Sequence, residues 1–301
     1  MERKRIKKYS VRTSFTGVSQ EEVLAHQKIK EHKKSKVAVF KNQDDTSWGG
    51  VGDWYDKHLQ SGTTNHDTVV YPRLTRLLGD VMGKKILDLA CGQGIFSYRL
   101  ANDGALVTGV DLGRELIDIA KKESEGRKKV PDFFVSPSHD LYMIKDGEID
   151  IVIVSLAIQN IEDVKGTFTE CERVLKNGGR LFLVMNHPAF RIPKESSWGF
   201  DEKKDLQYRR LESYLSEQKV KIDMTPGSEK DKKYTYSFHR PLQYYSKLLE
   251  KSNFLIKRIE EWESIKASEP GTRQKAENKA RKEFPLFLCL EAVQLKNDKI
   301  R

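Results

Sequence analysis

The stretch Lys85-Ile-Leu-Asp-Leu-Ala-Cys-Gly-Gln-Gly-Ile-Phe-Ser97, followed by Leu106-Val-Thr-Gly-Val-Asp-Leu112, decides the fold. An apolar run ends in an acid and a Gly-x-Gly turn, and a second apolar run ends in another acid. That pattern is how a parallel α/β sheet shapes a nucleoside pocket at its strand tips. Downstream, Ile149-Asp-Ile-Val-Ile-Val-Ser155 is a nearly continuous β-branched run, as a strand covered on both faces requires. The reading places strands at 86–90, 106–110, 133–135, 149–155 and 180–185. Between and before them lie helical patterns at 71–79, 95–102, 115–122 and 164–175. Pro72 suits a first helical turn, Gly79 a helix end, and Asn177-Gly-Gly179 the end of the last helix. The expected architecture is α/β: a doubly wound, mostly parallel sheet.

The rhythm breaks at 187–240, a long aromatic and charged segment that reads as an insertion over the carboxyl edge of the sheet. It resumes with a helix from Pro241 and final strands at 254–259 and 286–295. The polar segment 263–284 between them reads as a connection. Residues 1–43 form a basic arm, flexible in this reading, and residues 44–301 the main domain. Twelve Lys and Arg face four Glu in the arm, so it holds +8 of the chain's net charge of +10. The body is close to neutral, unlike a surface built to grip a duplex. The N-terminus lacks the apolar stretch of a secretory signal, and no apolar run is long enough to span a bilayer. Three scattered cysteines within apolar runs suit a reducing compartment, so the expected location is cytoplasmic. No His, Cys or Asp spacing suggests a metal site.

Gly92 and Gly94 give the turn the backbone freedom to approach a ligand. The following helix aims free N–H groups at an anion. Asp88 suits an ammonium, and Asp111 suits the two hydroxyls of a ribose. S-adenosylmethionine carries that ammonium, carboxylate and ribose together. A dinucleotide fingerprint would want a third small residue where Ser97 stands and would not use the preceding acid.

These residues resemble class I S-adenosylmethionine-dependent methyltransferases. Asp88–Gly94 is similar to their first motif, Val107–Asp111 to their second, Ser155–Ile161 to the loop after strand four, and Arg173–Leu181 to the approach to strand five. The resemblance implies a seven-stranded, Rossmann-like sheet with a closing antiparallel pair. It also implies S-adenosylmethionine as cofactor, held by Asp88, Ala90, Gly92, Gly94, Asp111, Leu112 and Leu156. Where relatives place Gly-Asp-Ala after strand three, this chain has Ser136-Pro-Ser-His-Asp140. Adenine contact is therefore assigned to Ser138, His139 or backbone groups, with a simple capped turn as the other reading.

The acceptor pocket is expected among Trp54, Tyr55, Tyr71, Gln159, Asn160, Arg191, Trp198 and Arg240. His187 and His239 are the candidate bases; each could equally be satisfying internal hydrogen bonds. Arg209 and Arg210 read either as solvated or as a clamp for a carboxylate or phosphate. The expected reaction is methyl transfer to an oxygen or nitrogen of a small molecule. The alternative is an RNA or ribosomal-protein substrate docked by the basic arm.

Overall fold

A computed structural model describes residues 64–124, 126–224 and 234–295. The basic arm, Trp54 and Tyr55 lie outside these residues. The chain enters through a π-helical turn, His66–Val70, that runs directly into helix α1 (Tyr71–Leu78). The sheet elements follow: β1 (Lys85–Leu89), α2 (Ile95–Asn102), β2 (Leu106–Asp111), α3 (Arg114–Lys122), β3 (Asp132–Val135), β4 (Ile149–Ser155), α4 (Val164–Val174) and β5 (Leu175–Asn186). Two hairpins come next, β6 (Ser196–Asp201) with β7 (Leu206–Leu211) and β8 (Gln218–Asp223) with β9 (Tyr234–His239). Helix α5 (Leu242–Lys251), β10 (Phe254–Trp262), α6 (Gln274–Glu283) and β11 (Phe287–Gln294) complete the order.

Seven strands form one sheet in the order β10-β11-β5-β4-β1-β2-β3. Pairs from β5 through β3 are parallel, while β11 runs antiparallel to both β5 and β10. Alternation along the strands sorts the core into two layers. Leu87, Leu89, Val152, Val154, Leu181 and Leu183 face α4 and α5 through Phe168, Tyr245 and Leu249. Ile86, Ile151, Ile153, Phe182 and Val184 face α1 and α2 through Leu74, Leu78 and Leu100. Both faces of β4 are therefore buried, which explains its unbroken apolar run.

Residues 136–148 cross from β3 to β4 in turns, with no helix between them. The structure departs from the expected element list in three places. The helix before β5 stops at Val174 and the strand starts at once, Leu175 pairing with Ile149. Asn177-Gly-Gly179 therefore lies within that strand segment and does not end the helix. The polar segment 263–284 contains α6, whose small buried residues Ala276 and Ala280 gave little apolar periodicity to read. The insertion is two hairpins with little core of their own: Trp198 packs edge-on against Phe284, outside the inserted segment.

Candidate cofactor site and acceptor pocket

Strand β1 ends in a turn with three left-handed residues, Ala90 (φ 57°), Gly92 (φ 57°) and Gly94 (φ 77°). The two glycines serve different ends. A Cβ on Gly92 would meet nothing within 4 Å, so its missing side chain leaves open space at the strand tip. A Cβ on Gly94 would lie 2.5 Å from Phe133 Cζ. The missing side chain of Gly94 thus makes room for a core ring. Gly94 is also the N-cap of α2 and offers no side chain, so the first N–H groups of that helix face outward toward the turn.

Asp88 sits beneath this turn, 2% exposed. The Ser97 hydroxyl donates to its Oδ2 at 2.5 Å. Burial raises the Asp88 carboxyl to about 6; the Ser97 bonds pull it down and the nearby Asp111 charge pushes it up. Asp88 therefore ties β1 to the first turn of α2 and presents a buried, poorly compensated negative charge under the Gly-x-Gly turn.

Asp111 closes the second tip. Its Oδ2 accepts from Gly92 N–H at 2.9 Å and its Oδ1 from Gly113 N–H at 2.7 Å. Burial raises its pKa, against the pull of these amides. Each oxygen keeps a second lone pair, enough for two hydroxyl donors. Beside it Leu112 is 42% exposed, an apolar side chain at the lip of the tip. On the other side, β4 ends at Ser155 and Leu156 (φ 53°), whose N–H donates to Val184 O at 2.7 Å. Gln159 Nε2 donates back to Leu156 O at 2.6 Å, and Asn160 lies in the same short turn. Ser155 Oγ and Gln159 Oε1 are buried without a partner. Orphaned polar atoms at strand tips, a bare-backbone cradle and a rigid carboxylate fit a ligand with an amino-acid end and a ribose.

Other candidates are spent on architecture. The Ser138 hydroxyl pairs with Thr167 Oγ1 at 2.7 Å, and His139 stands 3.9 Å from Asp163, so both dock the loop after β3 on the start of α4. Tyr71 is buried and stacks on Phe96 at 4.8 Å, with Arg99 over its ring. Arg240, also buried, donates to the Ile161 and Glu162 carbonyls at 2.9 Å each and so fixes the loop carrying Gln159. His239 Nε2 bonds Tyr214 O at 2.8 Å. His187 accepts at Nδ1 from Ala189 and Phe190 N–H, which puts its proton on Nε2, 2.8 Å from Glu261. Burial lowers its pKa. With its acceptor nitrogen occupied, His187 caps the chain leaving β5, the hydrogen-bonding role that the sequence reading set beside that of a base.

Arg191 and Trp198 lie near each other instead, with Arg209, Phe190 and Phe284. Arg281, from α6, completes this group and was invisible to sequence reading, because nothing local ties a charged helix to residues far upstream. Among the described residues, no group of three or more His, Cys, Asp or Glu is placed to hold a metal ion.

The fold is that of solved S-adenosylmethionine-dependent methyltransferases. One solved relative by fold is an S-adenosylmethionine-dependent methyltransferase from Mesorhizobium loti, with a TM-score of 0.60 and 24% identity over 77% of this chain and 99% of that one. Residues 87–183 of the chain match a family model described as a methyltransferase domain. Sequence relatives include the ubiquinone biosynthesis O-methyltransferases of Xanthomonas oryzae pv. oryzae, 34% identical over 104 residues, and of Vibrio atlanticus, 30% identical over 103 residues. The match spans 35% and 34% of this chain and 44% of each relative. No helix among the described residues is long and apolar enough to cross a membrane.

Proposed function

We propose that this chain is an S-adenosylmethionine-dependent methyltransferase that methylates a hydroxyl of a small molecule. The observation that carries the reading is the pairing of an open, left-handed Gly92 with Asp111, whose carboxylate joins the first two strand tips. Gly92 and the first amides of α2 would hold the carboxylate of the methionine end. Asp88 would supply the negative field for its ammonium, Asp111 would hold the ribose, and Leu112 would pack on the base. When bound, the cofactor supplies a methyl group already activated on a sulfonium. What remains for the protein is to orient an acceptor oxygen and exclude water. The loop after β4, pinned by Arg240, and the two hairpins supply walls for that purpose. The O-methyltransferase names of the sequence relatives support oxygen as the accepting atom.

Calorimetry with S-adenosylmethionine and S-adenosylhomocysteine tests the site. Both are expected to bind one per chain, and methyl transfer to phenolic acceptors is expected by mass spectrometry. Binding of NAD in their place would overturn the reading.

A further inference from the structure

Most arginines described here have an acid beside them: Arg73 pairs with Glu263, Arg99 with Asp67, Arg173 with Glu170, Arg210 with Glu212 and Arg273 with Glu202. Three that stand near one another do not. Arg191 follows β5 and has no side-chain hydrogen bond or ion pair among the described residues. Its charged neighbours are Arg209 and Arg281, and burial together with these like charges lowers it to about 10. Arg209, on β7, donates Nε to Phe190 O at 3.0 Å and Nη2 to Ser196 Oγ at 2.6 Å. Arg281, on α6, donates only Nε, to Ser268 Oγ at 2.8 Å. None meets a carboxylate among the described residues. A guanidinium has five N–H donors in a planar fork, so most of this donor capacity is unused.

Gathering three partly buried cations without a counter-charge costs stability, and proteins rarely leave that cost uncompensated. Aromatic rings stand beside them. Phe190 and Trp198 each meet Phe284 edge-on at 5.5 Å, and Arg209 lies 5.0 Å from the centre of the Trp198 ring. The group also sits where an acceptor would enter. Phe190 and Arg191 continue from the tip of β5, which pairs with β4 through Ser155 and Val184, next to the strand tips of the cofactor site.

We propose that Arg191, Arg209 and Arg281 form a subsite for an anionic group, a carboxylate or a phosphate ester, on an aromatic ligand whose ring lies against Phe190, Trp198 and Phe284. That this ligand is the methyl acceptor rests on the methyltransferase reading; its negative charge and its ring rest on the arginines and aromatic side chains alone. The inserted hairpin then selects substrates by charge: it contributes Arg209 and Trp198, while α6 closes the far side with Arg281.

The test is calorimetry on the full chain with benzoate, phenyl phosphate and neutral benzamide, alongside S-adenosylhomocysteine. At least one anion is expected to bind tenfold or more tightly than benzamide, and the stronger of the two anions identifies carboxylate or phosphate as the preferred group. Arg191→Met is expected to weaken that anion at least tenfold, with S-adenosylhomocysteine affinity within twofold of the parent. Its melting temperature without ligand is expected to equal or exceed the parent's, because an unpaired cation is gone. Arg281→Met provides an independent second variant with the same expected loss. Benzamide binding as well as both anions, or full anion affinity in both variants, would overturn the subsite. Anion binding without any binding of S-adenosylhomocysteine would instead overturn the methyltransferase reading and leave the subsite standing.

Discussion

The carboxyl tips of β1 and β2 and the arginine group beyond β5 carry opposite charge and are built by opposite means. The first is negative and built largely from backbone. Asp88 and Asp111 are held by amides and a hydroxyl within one contiguous stretch, and the left-handed turn leaves the space. The second is positive and built from side chains on three distant elements. A site made of one strand-turn-helix can be rigid without help from the rest of the fold. A site assembled from β5, a hairpin and α6 depends on all of them docking.

The sharpest way to break this contrast is Asp111→Ala. It removes two charge-accepting bonds to backbone and the proposed ribose contact, each worth about 1.5–3 kcal/mol. Affinity for S-adenosylhomocysteine is expected to fall roughly 100-fold by calorimetry; unchanged affinity would place the cofactor elsewhere. Next is the pair of glycines. Gly94→Ala combines left-handed backbone strain with a clash against Phe133 and is expected to cost about 3 kcal/mol in urea unfolding. Gly92→Ala carries the strain alone, about 1 kcal/mol, yet should lose more cofactor affinity than Gly94→Ala. Equal unfolding costs would show that Phe133 does not fill the space under Gly94.

Asp88 gives a pH signature. Its folded carboxyl is raised to about 6 from an ordinary value of 3.8, so it favours folding when protonated. That contribution is present below about pH 4 and is lost as pH rises through about 6. Relative to the parent, Asp88→Asn is therefore expected to gain about 3 kcal/mol between those limits, followed as unfolding midpoints across pH. A difference that stays flat would mean the carboxyl is not raised. The smallest effect is expected from His187→Gln. Its pKa is lowered and its acceptor nitrogen is occupied. The change should cost about 1 kcal/mol of stability and leave the shape of the pH–rate profile intact. Loss of an ionisation from that profile would restore His187 as a base.

The same division governs what was legible in the sequence. Strand β4, helix α2 and the two strand-tip acids could be read because their signals are local: a β-branched run, a Gly-x-Gly turn, an acid at a strand end. The doubly wound sheet followed from their alternation. The fate of His187 could not be read, since its partner Glu261 comes from the antiparallel end of the sheet. Nor could the role of Arg240, whose carbonyl acceptors lie on a loop far upstream. Arg191 and Trp198 were singled out individually, and Arg209 only as half of a doublet with Arg210. Arg281 carried no signal at all. Side chains that meet only after folding leave no spacing to find.

The sheet order has a consequence for biogenesis. Strand β11 follows β10 in the chain but lies between it and β5. A nascent chain that has emerged only through Trp262 therefore presents β5, with Leu181, Phe182 and Leu183, as an uncovered edge, and leaves β10 with no strand to bind. Until β11 slots in, that edge can recruit another chain. Synthesis at low temperature or with chaperone support should raise recoverable protein, and interruption shortly before Phe287 should yield aggregates.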